Sequence, residues 1–303
     1  MERTLGEAAA LLSALTWAAT SIVMAGLAAR YHAAVLTGIQ FAVASVVLTV
    51  LLFATGHAVE VAEASSLTVL AMIAAGLVGY GIGDTTYVRA LPRLGVQRVA
   101  PTATALWVTG GALGGVLLLG EPGGWRLVAG GVAAAAGTYL VLSRAGARGI
   151  ATRASRWPAN VGLAPLALAI VPAAWVCSTL LVAGARGNLG ALSAGTIRVA
   201  AGAIVLLAAI AGTHRGSLWG AMPRGRDLAL TLAVGVIGSA GGSLLYTFAV
   251  AYAGAARTVI LGSLSPLLAL PLAMVFLGER PTVRIGAGTV LCVAGALLVV
   301  GGA

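Results

Sequence analysis

Asp84 and Arg198 are the charges set furthest inside apolar stretches of this sequence. A charge at the centre of a hydrocarbon-spanning helix costs about 2.5–3.5 kcal/mol, so each needs a partner or a water-filled cavity. Asp84 can pair with a cationic substrate group or change protonation during a cycle; the plainer account is satisfaction by Thr85, Thr86 or a nearby arginine. Arg198 can contact substrate, or bond structurally within the protein. Trp17, Trp107 and Trp175 lie well inside apolar runs rather than at their ends, where membrane tryptophan usually collects. With Tyr80, Tyr87 and Tyr246 they could line a cavity for a ring-bearing or amphipathic ligand; interhelical packing is the alternative. Ser21, Thr104, Ser178, Ser239, Ser243 and Ser263 would add hydroxyls, though such groups also bond their own helix backbone.

Catalysis has no constellation to build on, and no catalytic residue is expected. His32, His57 and His214 all fall between apolar runs, and there are no paired carboxylates and no serine beside a base. Cys177 and Cys292 each sit inside an apolar run, so neither a disulfide framework nor a metal site is expected. No cofactor is expected. Glycine pairs such as Gly79/Gly83, Gly110/Gly114 and Gly238/Gly242 read as close helix contacts, since no Gly-Lys-Ser/Thr follows them to make a phosphate loop.

The elements that must hold these groups follow from composition. Of 303 residues 60% are hydrophobic and 9% charged, against about 25% charged in soluble domains. The net charge of +10 comes from arginines spread singly between apolar runs, which does not make a nucleic-acid face. Ten runs long enough to span a bilayer can be marked at 7–28, 33–55, 67–88, 96–119, 124–143, 161–184, 190–212, 228–249, 255–277 and 283–301. Their continuity predicts helices rather than barrel strands. The first is too long for a signal peptide's apolar core and starts with Glu2 and Glu7 against Arg3.

Shifting the chain by 158 or 159 residues lays its first half on its second. Trp17 falls on Trp175, Gly79 and Gly83 on Gly238 and Gly242, Tyr87 on Tyr246, and Leu119-Gly120-Glu121 on Leu277-Gly278-Glu279. Two five-helix units are expected, 5–143 and 161–301, joined by a basic linker at 144–160. Five is odd, so the units should run in opposite orientation, an architecture common in secondary transporters. Glu121 and Glu279 read as helix-start caps with a modest gating possibility. Pro165, Pro172, Pro266 and Pro271 are candidate kinks.

The paired segments Gly83-Asp84-Thr85-Thr86-Tyr87-Val88-Arg89-Ala90-Leu91 with Leu119-Gly120-Glu121, and Tyr246-Thr247-Phe248-Ala249-Val250 through Ser265-Pro266 to Leu277-Gly278-Glu279-Arg280-Pro281, resemble the two EamA domains of the drug/metabolite transporter superfamily. The resemblance implies a ten-helix carrier of small metabolites with a cavity between the halves and no ATP hydrolysis. Two positions depart from it: Trp107 stands where the family tends to place a proline like Pro266, and Gln40 where it often has an arginine like Arg198. Gln40 is the twin of Arg198, which suggests polar pairing across the pseudo-axis.

The expected protein is an all-α integral membrane carrier of a small organic metabolite (amino acid, nucleoside or drug-like), working by alternating access, with proton coupling through Asp84 as an option. Substrate-contact candidates are Trp17, Tyr80, Asp84, Tyr87, Trp107, Trp175, Arg198, Ser239, Ser243 and Tyr246. A channel is the first alternative; a non-transporting scaffold or an intramembrane enzyme is the second. The expected partners are a small molecule and the lipid bilayer, not nucleic acid, in a monomer or homodimer. The expected setting is a bacterial or archaeal cytoplasmic membrane. Thirteen arginines, among them Arg89, Arg144 and Arg280, fall on the side opposite the N-terminus, and four, Arg3, Arg126, Arg186 and Arg257, on its own side. That distribution places both termini outside, whereas the resemblance implies both inside.

Overall fold

The computed structural model describes residues 1–28, 30–87, 90, 96–145, 164–213, 222–265, 267–268 and 283–300. Apolar runs without helix breakers fold as helices, and no strand occurs among the described residues. In chain order these are α1 (Glu2–Ala28), α2 (Ala33–Ala54), short α3 (Ala58–Glu63), α4 (Ser66–Tyr87), α5 (Val96–Leu119), α6 (Trp125–Ala145), α7 (Ala164–Ala185), α8 (Ala191–Thr213), α9 (Arg226–Ala253), α10 (Ala255–Gly262) and α11 (Val283–Val300). Among the described residues, seven helices are long and apolar enough to cross a membrane: α1, α2, α4, α5, α7, α8 and α9. Their outer faces carry exposed apolar side chains, such as Val46 at 63%, Phe53 at 69% and Ile204 at 68% exposure, as a lipid-facing surface requires.

Among the described residues, two helices depart from regular α geometry. Leu77–Asp84 of α4 and Gly235–Gly242 of α9 are wound as wide π turns. Both are glycine-rich, and glycine holds the regular α conformation only weakly. The neighbours are identifiable. A Cβ on Gly83 would lie 2.8 Å from the Trp175 ring of α7, and one on Gly79 2.5 Å from Ser178. At the equivalent place a Cβ on Gly242 would lie 2.5 Å from the Trp17 indole nitrogen of α1, and one on Gly238 2.7 Å from Thr20. Thus α7 beds antiparallel into α4 as α1 beds into α9, and repeat-equivalent positions make both contacts.

The reciprocity continues at the other interfaces. Gly76 of α4 closes on the Arg198 backbone of α8, and Gly235 of α9 on Gln40 and Val43 of α2. The most extensive pairing, α6 with α11, is antiparallel and glycine-mediated: a Cβ on Gly130 would lie 2.6 Å from the Gly295 carbonyl, and one on Gly137 2.6 Å from that of Gly288. In parallel contact, Gly110 and Gly114 of α5 receive Val176 and Leu180 of α7. Small residues permit these approaches where lipid offers no hydrophobic drive between helices.

Two expectations from sequence are refined. The run at 67–88 is one helix beginning at Ser66, whose N-cap Ser65 accepts the Thr68 N–H at 3.1 Å, with the unpredicted α3 before it. Pro172 lies inside α7, which runs through it. Pro266, Pro271, Glu279 and the end of the 255–277 run lie outside the described residues.

Candidate functional site

The helices line a cavity of about 440 Å³ within the bundle. Its walls come from α1, α2, α4, α5, α7, α8, α9 and α10, that is, from both halves of the chain. Nine of the ten substrate-contact candidates line it: Trp17, Tyr80, Asp84, Trp107, Trp175, Arg198, Ser239, Ser243 and Tyr246. Tyr87 does not; its ring stacks on Trp175 at 5.4 Å, behind the wall. Ser263 is also no part of the lining; it is buried and its hydroxyl donates to the Ile260 carbonyl. Sequence reasoning had not singled out Thr20, Met24, Phe41, Thr179 or Ser265, which line it too. Thr20 was findable, since the repeat places it on Ser178.

One wall is a chain of aromatic rings. Trp17 meets Tyr246 at 5.6 Å, Tyr246 meets Trp107 at 6.2 Å, and Trp107 meets Trp175 edge-on at 6.3 Å. The polar edges of these rings are satisfied within the protein. Trp17 Nε1 donates to the Gly238 carbonyl at 3.2 Å, Trp107 Nε1 to Thr179 Oγ1 at 3.2 Å, and the Tyr246 and Thr179 hydroxyls share a 2.7 Å bond. What the rings leave for a ligand is apolar surface with fixed orientation.

The two charges sit differently from the sequence expectation. Asp84, at the end of the π stretch of α4, accepts Trp175 Nε1 at 2.8 Å, so its fixed partner is an indole and not Thr85, Thr86 or an arginine among the described residues. Arg198 is 3% exposed and reaches Thr247 at 2.9 Å and Ser178 at 3.4 Å, with its guanidinium 5.3 Å from the Tyr80 ring centre and 5.8 Å from that of Tyr246. Among the described residues its Nε has no hydrogen-bond partner. Hydroxyls and ring faces hold this cation, and no carboxylate pairs with it among the described residues. The expected bond between Arg198 and Gln40 does not form: Gln40 donates to the Met24 sulfur at 2.6 Å and lies 3.5 Å from Ser239. Trp175 and Ser178 are one turn apart on α7, so the helix that orients Asp84 also contacts Arg198 about 5 Å further along.

On the N-terminal side the cavity ends on an apolar plug of Met72, Val182, Leu189, Tyr246 and Val250. A polar rim closes that face. Glu60 of α3 accepts from Ser193 at 2.7 Å and from the Gly190 N–H at 2.9 Å, and Arg186 donates to the Leu189 and Ala251 carbonyls. The Glu60 carboxyl is held below its ordinary range, chiefly by the Ser193 hydroxyl and, against the cost of burial, also by the Gly190 N–H and the His57 charge. Glu121 is a cap, but not of the helix that follows it. Its two oxygens accept the Ala255 and Ala256 N–H groups at 2.6 and 2.9 Å, capping α10 from the other half of the chain at the Gly254 turn, where φ is +85°.

The model of the EamA-like transporter family matches residues 4–143 and again 163–301. The chain belongs to that family. It is therefore a multi-pass membrane transporter of the drug/metabolite transporter superfamily, carrying the EamA unit twice. Among solved structures, one described as "Crystal structure of protein" superposes with a TM-score of 0.80 at 19% identity, covering 98% of this chain and 97% of that one. That likeness extends the shared fold over the full length. No curated protein matches the chain.

Proposed function

We propose that this EamA-like protein is a secondary carrier of ten membrane helices in two oppositely oriented repeats, which moves a small organic solute across the cell membrane by alternating access. The observation that carries the reading is the cavity between the halves, in which a buried cation without a carboxylate partner among the described residues, a carboxylate and an aromatic wall converge. Its volume lies in the range of small-ligand sites. The reciprocal packing of α1 on α9 and α7 on α4 supports rocking of one repeat against the other around a fixed site. Opposite charges held by residues one turn apart on α7, beside ring faces, suit a solute carrying an acidic group, a basic group and an apolar body, amino-acid-like in chemistry. The plug and rim on one face favour a carrier over a channel, because a channel needs a path to both faces at once.

Counterflow in proteoliposomes tests this. Vesicles preloaded with an unlabelled amino acid should accumulate the labelled one transiently, with saturable kinetics, and Arg198→Gln should abolish it. Flux that is linear in concentration without counterflow rejects the carrier in favour of a pore. Absence of flux for amino acids, nucleosides and cationic drugs alike rejects transport of these solutes.

A further inference from the structure

On the N-terminal face, away from the central cavity, a second hollow of about 380 Å³ lies between the start of α1, the α5–α6 turn, the start of α10 and the end of α11. Three arginines line it, Arg3, Arg126 and Arg257, together with Gly123, Gly124 and Trp125. Glu7 is the carboxylate that meets these arginines, at 3.2 Å from Arg3 and 3.0 Å from Arg257. Arg257 is further anchored on the Val299 carbonyl at 2.7 Å. Glu121 lies close by; its two oxygens accept the α10 N–H groups and its charge also acts on Arg257. Three arginines therefore stand against two carboxylates, which leaves the hollow net positive, and among the described residues Arg3 Nη2 is buried there without a hydrogen-bond partner.

The floor adds to this. Gly124 stands before the first turn of α6 and offers no side-chain cap, and the first turn of a helix leaves N–H groups without intrahelical acceptors. The rim points to the source of an anion. Trp125 is 69% exposed with the Arg126 guanidinium 5.6 Å from its ring centre, an arrangement typical of the headgroup level. Below it on the outer surface run the exposed apolar residues Leu118, Val128 and Val132, where acyl chains would lie.

We propose that this arginine hollow binds the phosphodiester headgroup of an anionic phospholipid. The charge surplus selects the phosphate, and the adjoining apolar strip on α5 and α6 selects a lipid over a soluble phosphate. The site is independent of the solute cavity, so its test does not depend on transport.

The purified full-length chain in detergent is titrated with phosphatidylglycerol, phosphatidylcholine and glycerol 3-phosphate, reading bound lipid by native mass spectrometry and the thermal midpoint. Phosphatidylglycerol should bind and raise the midpoint, phosphatidylcholine should do so far less, and glycerol 3-phosphate should not reproduce the effect. Arg3→Gln and Arg126→Gln, read separately so that one misfolding variant leaves the other, should each weaken phosphatidylglycerol binding about fivefold. Arg224→Gln, an exposed position on the opposite face, should leave it unchanged. Equal binding of both lipids, or unchanged affinity in both variants, overturns the site. An equal effect of glycerol 3-phosphate overturns the lipid and reassigns the hollow to soluble phosphates.

Discussion

At the residue scale, Asp84 and Arg198 differ in what their removal should do. Asn at position 84 keeps an oxygen for Trp175 Nε1, so Asp84→Asn should fold normally while losing the charge that would meet a basic group. A hydrogen bond to a charged partner is worth about 1.5–3 kcal/mol, so KM for a solute with an amino group should rise about ten- to a hundredfold, with the thermal midpoint unchanged. Proton coupling through this carboxylate is tested in the same variant: flux with an unaltered pH dependence removes Asp84 from that role. Arg198→Lys preserves charge, but a lysine cannot reach Thr247 and Ser178 as a planar fork while lying over the Tyr80 and Tyr246 rings. Transport should therefore fall in Arg198→Lys nearly as far as in Arg198→Gln, whereas a role resting on charge alone would leave the lysine variant active. Both charges were legible in the sequence because hydrocarbon makes any charge conspicuous. Their partners were not, since Trp175 lies 91 positions from Asp84 and only the antiparallel bedding of α7 into α4 brings the indole to the carboxylate.

At the scale of elements, the glycine stripes are where sequence and structure agree most closely. The matched spacing of Gly79/Gly83 and Gly238/Gly242 announced a duplicated contact, and the helices that fill them are themselves duplicates. Gly83→Ala should cost about 1–3 kcal/mol through overpacking, because the added carbon meets the Trp175 ring at 2.8 Å, and it should disturb Asp84 with it. Gly26→Ala, where nothing lies within 4 Å, should be neutral or stabilising, and thermal unfolding of the two variants side by side checks the contrast. The π winding of Leu77–Asp84 and Gly235–Gly242 was not legible: periodicity reports an apolar helix, and an added residue per turn leaves no mark in composition. Glu121 was legible as a cap but not as a cap in trans. Local reasoning assigns an acidic residue to the next helix, whereas α6 begins at Trp125 and the carboxylate turns to α10.

At the scale of the whole molecule, the plug and rim close the N-terminal face of the bundle, and alternating access requires that face to open. Its rim joins the first half of the chain to the second through Glu60, which ties α3 to the start of α8 at Gly190 and Ser193. Because the folded-state pKa of Glu60 lies below its ordinary value, its contribution is full above about pH 5 and is lost as pH falls through the depressed folded value. The midpoint difference between wild type and Glu60→Gln should thus be present at neutral pH and close under conditions more acid than about pH 5. Loosening the rim should also shift the resting population. Val250 lies in the plug beneath the cavity at 2% exposure, so Val250→Cys, with Cys177 and Cys292 replaced, places a thiol that a membrane-impermeant reagent reaches from that side only when the plug opens. At neutral pH, adding Glu60→Gln should speed its modification severalfold, and a saturating transported solute should change the rate again. Equal rates with Glu60 or glutamine would show that the bond across the rim does not hold the face shut, leaving the apolar plug as the barrier that the carrier must break.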